Sequence, residues 1–349
     1  MGAPAWEPPQ GWRPAALNQG WIYHDSITAS EAGQWLTLVM ACRYRHSSAE
    51  QWMQRLLAGE LRRNGGPLQG DVVVERGDRI SWHRPPWLEA AVPDQWQTVH
   101  DDGDLLVLNK PSGLPVMPGG GFLLHTLTAL LEQRSREQGE PLAPKPVHRL
   151  GRYTSGLQVC ARRPETRAAL SAHFRPRGGC RKLYQAWSRR VEGLDLEVTL
   201  EVCADVVERP HPLLGWVWGP EPPPDARCDA TGVRRRLSAH SELTLLERGE
   251  QGDRLQVAIT TGRPHQIRIH LAQLGSPLLG DPLYLQGRRL APSATPGDGG
   301  YLLHAWRLES LPINGAAGLA LEAPLPAAFR SGDGSPASRS AGPPAPAPG

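Results

Sequence analysis

Apolar positions recur along the chain in two rhythms. In the first hundred residues the clearest is helical. Over 48–63, Trp52, Leu56 and Leu57 fall on one face, and Ser48 stands where a cap belongs, which predicts a helix. Val72–Val74 and Ile80–Trp82 predict two short strands turned at Gly77-Asp78, and Pro85-Pro86 close the segment. A linker is expected near 88–96. Beyond residue 97 the apolar runs shorten and multiply. Strands are expected within 104–116 and over 157–162, 184–188 and 255–260, and helices over 125–138, 165–174 and 264–274. Strands dominate and helices intervene irregularly, so the expected class is α+β, with a mixed or antiparallel sheet rather than regular βαβ units.

Breakers mark the loops. Residues 219–225 and 292–300 are rich in Gly and Pro and read as surface loops. Residues 331–349 hold no aliphatic side chain larger than Ala and are expected to be disordered. The 349 residues suffice for two or three domains. Net charge is only +3, but the basic residues are lopsided: three lysines, Lys110, Lys145 and Lys182, stand against thirty-five arginines. So strong a bias is a compositional habit, and it lowers what any single surface Arg can signify. No run of about 18 apolar residues suggests a membrane span, and the N-terminus lacks the basic and apolar regions of a secretory signal. Five cysteines without CxxC spacing fit a reducing compartment, so a cytoplasmic location is expected.

Familiar catalytic signatures fail. There is no GxxxxGK[ST], no GxSxG and no HExxH, and no His/Cys/carboxylate grouping has metal-ligand spacing. Neither metal nor cofactor is expected. Gly119–Gly121 read as a flexible turn. Four stretches stand out: 109–116, following an apolar strand; 147–157, where Arg149 and Arg152 flank Gly151 ahead of Thr154-Ser155-Gly156; 181–186; and 261–271, followed by 279–284. In the last, Pro264 suits a first helical turn, and His265, Arg268 and Ile269 share a helix face, with Gln266 and His270 four apart. A face so rich in donors suits phosphates and base edges, or equally a solvated helix in an Arg-rich chain. His148, taken alone, reads as a satisfied core histidine.

In series, these stretches resemble the RluA family of pseudouridine synthases. That family shows a KPxGLPV-like strand end, then HRLDxxTSGL, KxYxA, TGRxHQIRxH and LGDxxY. The resemblance covers roughly residues 97–310. Residues about 35–87 are similar to the S4 RNA-binding module. The implied organisation is an N-terminal region to 95, a pseudouridine synthase-like domain over 96–330 with a mixed central sheet, and the tail. The implied reaction isomerises uridine to pseudouridine in ribosomal or transfer RNA, without a cofactor, on a base flipped from its stack. Residue roles follow from the resemblance. Tyr184 packs on the base and accepts a proton, Arg268 pairs with the catalytic carboxylate, Arg149 contacts RNA beside the extruded base, and Ile267 walls the base pocket. Lys110, His148, Arg152, Thr154, Lys182, Arg263, His265 and Gln266 line the substrate or RNA groove.

One position departs from the pattern. Gly151 stands where the family places its nucleophilic Asp. Glycine has no side chain, so neither attack on the sugar nor proton abstraction is available there. Arg268 is then expected to lack its ion-pair partner. Asp101, Asp102, Asp104 and Asp281 are the carboxylates in view, and sequence assigns none of them. Two readings follow: an isomerase using a displaced group, or a pseudo-enzyme that binds RNA, as in ribosome assembly. On sequence grounds, Gly151→Asp should raise activity. All three lysines lie in or beside the motifs, which points them toward the groove.

Overall fold

The computed structural model describes residues 10–175, 179–222, 232–313 and 316–329. The tail, Cys228 and the end of the 219–225 loop lie outside the described residues. The chain divides into two compact units, one of them built on residues 15–89 and the other on 10–14, 90–211 and the described residues from 216 onward. The boundary expected after residue 95 falls at Glu89/Ala90. The expected linker is occupied by the short strands Leu88–Glu89 and Val92–Pro93.

In the first unit, helices Leu36–Arg43 and Ala49–Leu57 accompany a four-stranded sheet in the order 21–26, 79–84, 61–63, 66–67. Ser48 caps the second helix through a reciprocal pair with Gln51. Trp52 and Leu56 are buried as the spacing predicts, but Leu57 is 69% exposed. The helix stops well short of 63 because Gly59 takes a left-handed φ of 77° just past its end, and Leu61–Arg63 turn into a strand against Ile80–Trp82. Val72–Val74 form no strand; Val73 makes a single bridge to Trp35. Trp52 meets Trp82 edge-on at 4.8 Å and Tyr23 stacks on Trp82 at 5.1 Å, so aromatic rings centre this small core.

The second unit is built on a ten-stranded sheet. Its main path runs 199–203, 240–248, 253–259, 181–188, 303–313, 155–161, 105–110, 97–101. The expected strands are all present, in Leu105–Lys110, Ser155–Ala161, Arg181–Ser188 and Asp253–Ile259. Ser155–Gly156 pair with His304–Ala305 in parallel, and the neighbouring pairings are antiparallel, so the sheet is mixed. Helices Leu127–Glu137 and Pro164–His173 match their expected segments closely. No helix among the described residues is long and apolar enough to cross a membrane.

The helix expected over 264–274 differs in kind. It spans Gln266–Gln273, begins after a left-handed His265, and buries every residue from Gln266 to Ala272. Its donors therefore face protein, neither solvent nor an open groove.

The parallel junction depends on Gly156. Its φ is 104°, and a Cβ there would lie 2.2 Å from the Ala305 carbonyl oxygen. No other residue reconciles that backbone with that approach. Gly156→Ala should cost on the order of 3 kcal/mol, read as a lowered urea midpoint at unchanged slope.

Candidate active site

The stretch 150–156 runs into its strand along the Leu105–Lys110 edge. Lys110 holds it there. The Lys110 ammonium is fully buried and donates to three backbone carbonyls, Pro111, Leu114 and Arg152, each at 2.9 Å. A tetrahedral ammonium has three donors in this arrangement; a planar guanidinium does not. Burial pushes the Lys110 amine well down, with Arg152 adding to the effect. Lys110 is thus a fastener rather than an RNA contact. Lys182 is buried too and donates to the Phe174 carbonyl at 3.0 Å. Lys145 reaches Glu132 at 3.8 Å, with over half its side chain exposed. The lysines near the motifs mark backbone anchoring rather than a groove.

His148 is likewise turned to structure. Its Nε2 accepts from the Val159 amide at 3.0 Å, its ring stacks on Phe174 at 4.6 Å, and burial pushes it down to about 3. Arg152 donates to the Gly113 carbonyl and lies over the rings of Phe122 and Tyr153, 4.4 and 4.9 Å from their centres. Gln266 is saturated: its oxygen accepts from Thr261 Oγ1 and the Arg263 amide, and its nitrogen donates to the His240 carbonyl and Ser241 Oγ. Arg263 donates to the Ser238 carbonyl. These four side chains spend hydrogen bonds inside the protein that the groove reading assigned to RNA.

At the centre lies Arg268. It is buried and carries a bidentate pair to Asp281, with Nε to Oδ2 at 2.7 Å and a terminal nitrogen to Oδ1 at 2.8 Å. A third bond goes to the Pro296 carbonyl at 3.1 Å. The guanidinium lies 4.1 Å from the ring centre of Tyr301 and 4.7 Å from that of Tyr284. Burial works most strongly against its charge, but the Asp281 hydrogen bonds and the charges of Tyr301, Asp281 and Tyr284 together outweigh it and hold the guanidinium above its ordinary value. The expectation of an unpaired Arg268 is overturned, since Asp281 occupies it fully. Asp101 and Asp104 serve elsewhere, on Arg162 and on Arg163 with Thr166. Asp102 caps the turn into the Leu105–Lys110 strand by accepting from the Asp104 and Leu105 amides.

The next shell fixes the imidazole of His265. Tyr284 spends its only proton on the Trp218 carbonyl at 2.7 Å, so His265 Nδ1 must donate to the Tyr284 oxygen at 2.6 Å. The His265 Nε2 then keeps its lone pair. Burial pushes this ring down to about 3, reinforced by the nearby Arg268 and Arg149.

Aromatic and apolar residues from separate segments pack together here, and Tyr301 links them to Arg268. Tyr153, Tyr184, Ile267 and Tyr301 belong to one packed cluster, and Tyr184 also touches the cluster containing Leu150 and Ala305. The Tyr184 hydroxyl makes no hydrogen bond among the described residues, and burial raises its phenol above the ordinary value. Gly151 and Arg149 are exposed at the edge of this cluster, and Arg149 has no hydrogen bond or ion pair among the described residues. Thr154 is buried behind them.

Tyr301 is the residue that sequence reasoning missed. A Cβ built on Gly151 would lie 2.7 Å from the Tyr301 hydroxyl and 3.3 Å from Thr154 Oγ1. The place of a side chain at 151 is therefore occupied from another strand edge. Only its flanking Gly300 and Leu302 hinted at a turn into the sheet, and nothing in the local sequence tied it to Gly151. Sheet pairing also brings Glu201, Cys203 and His240 within 4.8 Å of one another, a grouping that linear spacing hid.

Comparison with known proteins places this geometry. Residues 104–273 match the RNA pseudouridylate synthase family. An uncharacterised RNA pseudouridine synthase of Synechocystis is 37% identical over 81% of this chain and 91% of its own. RNA pseudouridine synthase 5 of Arabidopsis thaliana is 33% identical over 89% of this chain and 94% of its own. The structure of human RNA pseudouridylate synthase domain containing 4 superposes with a TM-score of 0.52 at 25% identity, over 67% of this chain and 90% of that one. The chain belongs to the RNA pseudouridylate synthase family.

Two measurements check the interior of this site. Lys110→Met orphans three carbonyls and should cost on the order of 3 kcal/mol in urea unfolding. His148, His265, His270 and His304 are all pushed down, the last two to about 4, first of all by burial. In the unfolded chain they take up protons below about pH 6.5, while the folded chain resists until pH 3–4. Stability is thus fully present above pH 7 and falls as pH drops through that window, by up to about 1.4 kcal/mol per unit for each histidine. His270→Gln should flatten the slope of stability against pH by up to one proton.

Proposed function

We propose that this protein isomerises uridine to pseudouridine in structured RNA of the ribosomal or transfer class. The C1′–N1 bond breaks, the base turns, and a C1′–C5 bond forms while a proton leaves C5 and one is gained at N1. No electrons are gained or lost, so the reaction calls for no redox cofactor. The observation that carries this reading is the packing of Tyr153, Tyr184, Ile267 and Tyr301 in one cluster, in which Tyr301 meets the Asp281-paired Arg268 with its ring and the exposed Gly151 with its hydroxyl. An apolar and aromatic wall with a fixed charge beneath it suits one flipped base.

Roles within the site follow from its chemistry. Tyr184 stays a phenol at neutral pH, which suits packing on the base. Ile267 closes the apolar wall, and Thr154 supports the loop from beneath. Arg149, open and unpaired among the described residues, is free to meet a phosphate. His265 offers a neutral acceptor at Nε2. In the first unit, an S4-like role in RNA binding is supported by the sheet's alternation. Ile80 and Trp82 point inward, whereas Arg62 and Arg79 are exposed on the other face.

One observation favours a second reading, an RNA-binding pseudo-enzyme: Asp281 is locked to Arg268, and position 151 brings no carboxylate. Chemical mapping of pseudouridine separates the two. Total RNA from cells lacking the gene, incubated with purified protein, should gain at least one new pseudouridine. Binding without any new pseudouridine would make the protein a pseudo-enzyme. Arg149→Ala should weaken binding and reduce the slope of log affinity against log salt by about 1.

A further inference from the structure

We propose that the Tyr301 hydroxyl takes over the task of the missing residue-151 carboxylate: it is the protein oxygen that faces the ribose of the flipped uridine. The proposal rests on the isomerase reading above and deepens it.

Four observations carry it. The hydroxyl lies 2.7 Å from where a Cβ of residue 151 would stand, which is within the reach an aspartate side chain would have had from that Cβ. Gly151 itself is exposed, so the oxygen lies just beneath an open point of the surface. Tyr301 is buried, and its ring packs against the Arg268 guanidinium at 4.1 Å and against Tyr153, edge-on at 6.2 Å. Among the described residues, the hydroxyl's one hydrogen-bond partner is Thr154 Oγ1, at a long 3.4 Å. The oxygen is thus held in place by its ring while most of its hydrogen-bonding capacity stays open.

The chemistry is electrostatic. As the C1′–N1 bond breaks, positive charge develops on the ribose at C1′ and O4′. The contact with Thr154 Oγ1 admits either hydroxyl as donor; when Tyr301 donates, its oxygen turns its lone pairs to that charge. A phenol does this without a full negative charge. The same crowding explains why the direct repair, Gly151→Asp, is blocked: the new side chain meets the Tyr301 hydroxyl at its first atom. In Tyr301→Phe that obstacle is gone, because the next ring atom, Cζ, lies 4.0 Å from the built Cβ. The backbone at 151 is not left-handed, so an aspartate is tolerated there.

The test compares four full-length proteins on one RNA fragment carrying a uridine that the wild type modifies: wild type, Tyr301→Phe, Gly151→Asp, and Gly151→Asp/Tyr301→Phe. Tyr301→Phe should lower the single-turnover rate about 100-fold, with RNA affinity within threefold and melting temperature unchanged. Gly151→Asp alone should lower the melting temperature. The double variant should recover pseudouridine formation at least tenfold over Tyr301→Phe. A Tyr301→Phe rate within threefold of wild type overturns the proposal and leaves the isomerase reading standing. A fall in rate matched by a fall in affinity or melting temperature makes the hydroxyl structural and overturns it as well. If the wild type forms no pseudouridine on any RNA that it binds, the isomerase reading falls, and this proposal with it.

Discussion

A guanidinium without water must be neutralised where it stands, and the centre of this fold is arranged around that need. Arg268 lies on a helix buried from Gln266 to Ala272, and Asp281 meets it with both oxygens. Asp281 Oδ1 also accepts from the Leu283 and Tyr284 amides, so the pair fixes the course of the chain after the helix. Tyr284 and Tyr301 present ring faces to the same cation. Leaving Arg268 uncompensated would cost about 3–5 kcal/mol. The ion pair is thus a condition for bringing the 261–271 and 279–284 segments together, and the position of Tyr301 follows from it.

The same economy governs the other polar residues of the motifs. Lys110 gathers three carbonyls at the strand end, His148 accepts a strand amide, and Gln266 uses both ends of its amide group. Buried backbone groups must find partners, and loops that enter a core bring many such groups with them. Motif letters that look like ligand contacts are therefore largely the internal wiring of those loops. Arg149 and Gly151 stay exposed, and Tyr184 and Ile267 pack in the same apolar cluster.

Gly151 and Tyr301 make one unit across the fold. A side chain at 151 would meet the Tyr301 hydroxyl at its Cβ, 2.7 Å away. A phenol brings an oxygen to the same place without a full charge, and its ring doubles as a face for the cation. A side chain missing from a motif leaves a space in the fold. The space it leaves can be filled from a residue 150 positions away, provided the filler is rigid. Here the ring is packed against both Tyr153 and Arg268.

Much of this protein was legible in its sequence. The α+β class, the expected strands of the second unit and three of its helices followed from apolar periodicity, because that period records which face is buried. The ordered motifs brought the family into view, because their residues serve one loop system. Periodicity could not tell that the helix over 266–273 is buried on all sides, since its polar residues find partners in the Thr199–Cys203 and His240–Arg248 region and in Asp281. Nor could it tell that Leu61–Arg63 leave the helix for the sheet, which a left-handed Gly59 and the waiting edge of Ile80–Trp82 decide. The absence at Gly151 was plain in one dimension. That Asp281 answers Arg268 and Tyr301 fills the gap was decided by the tertiary structure alone, because charge and volume are balanced between neighbours in space.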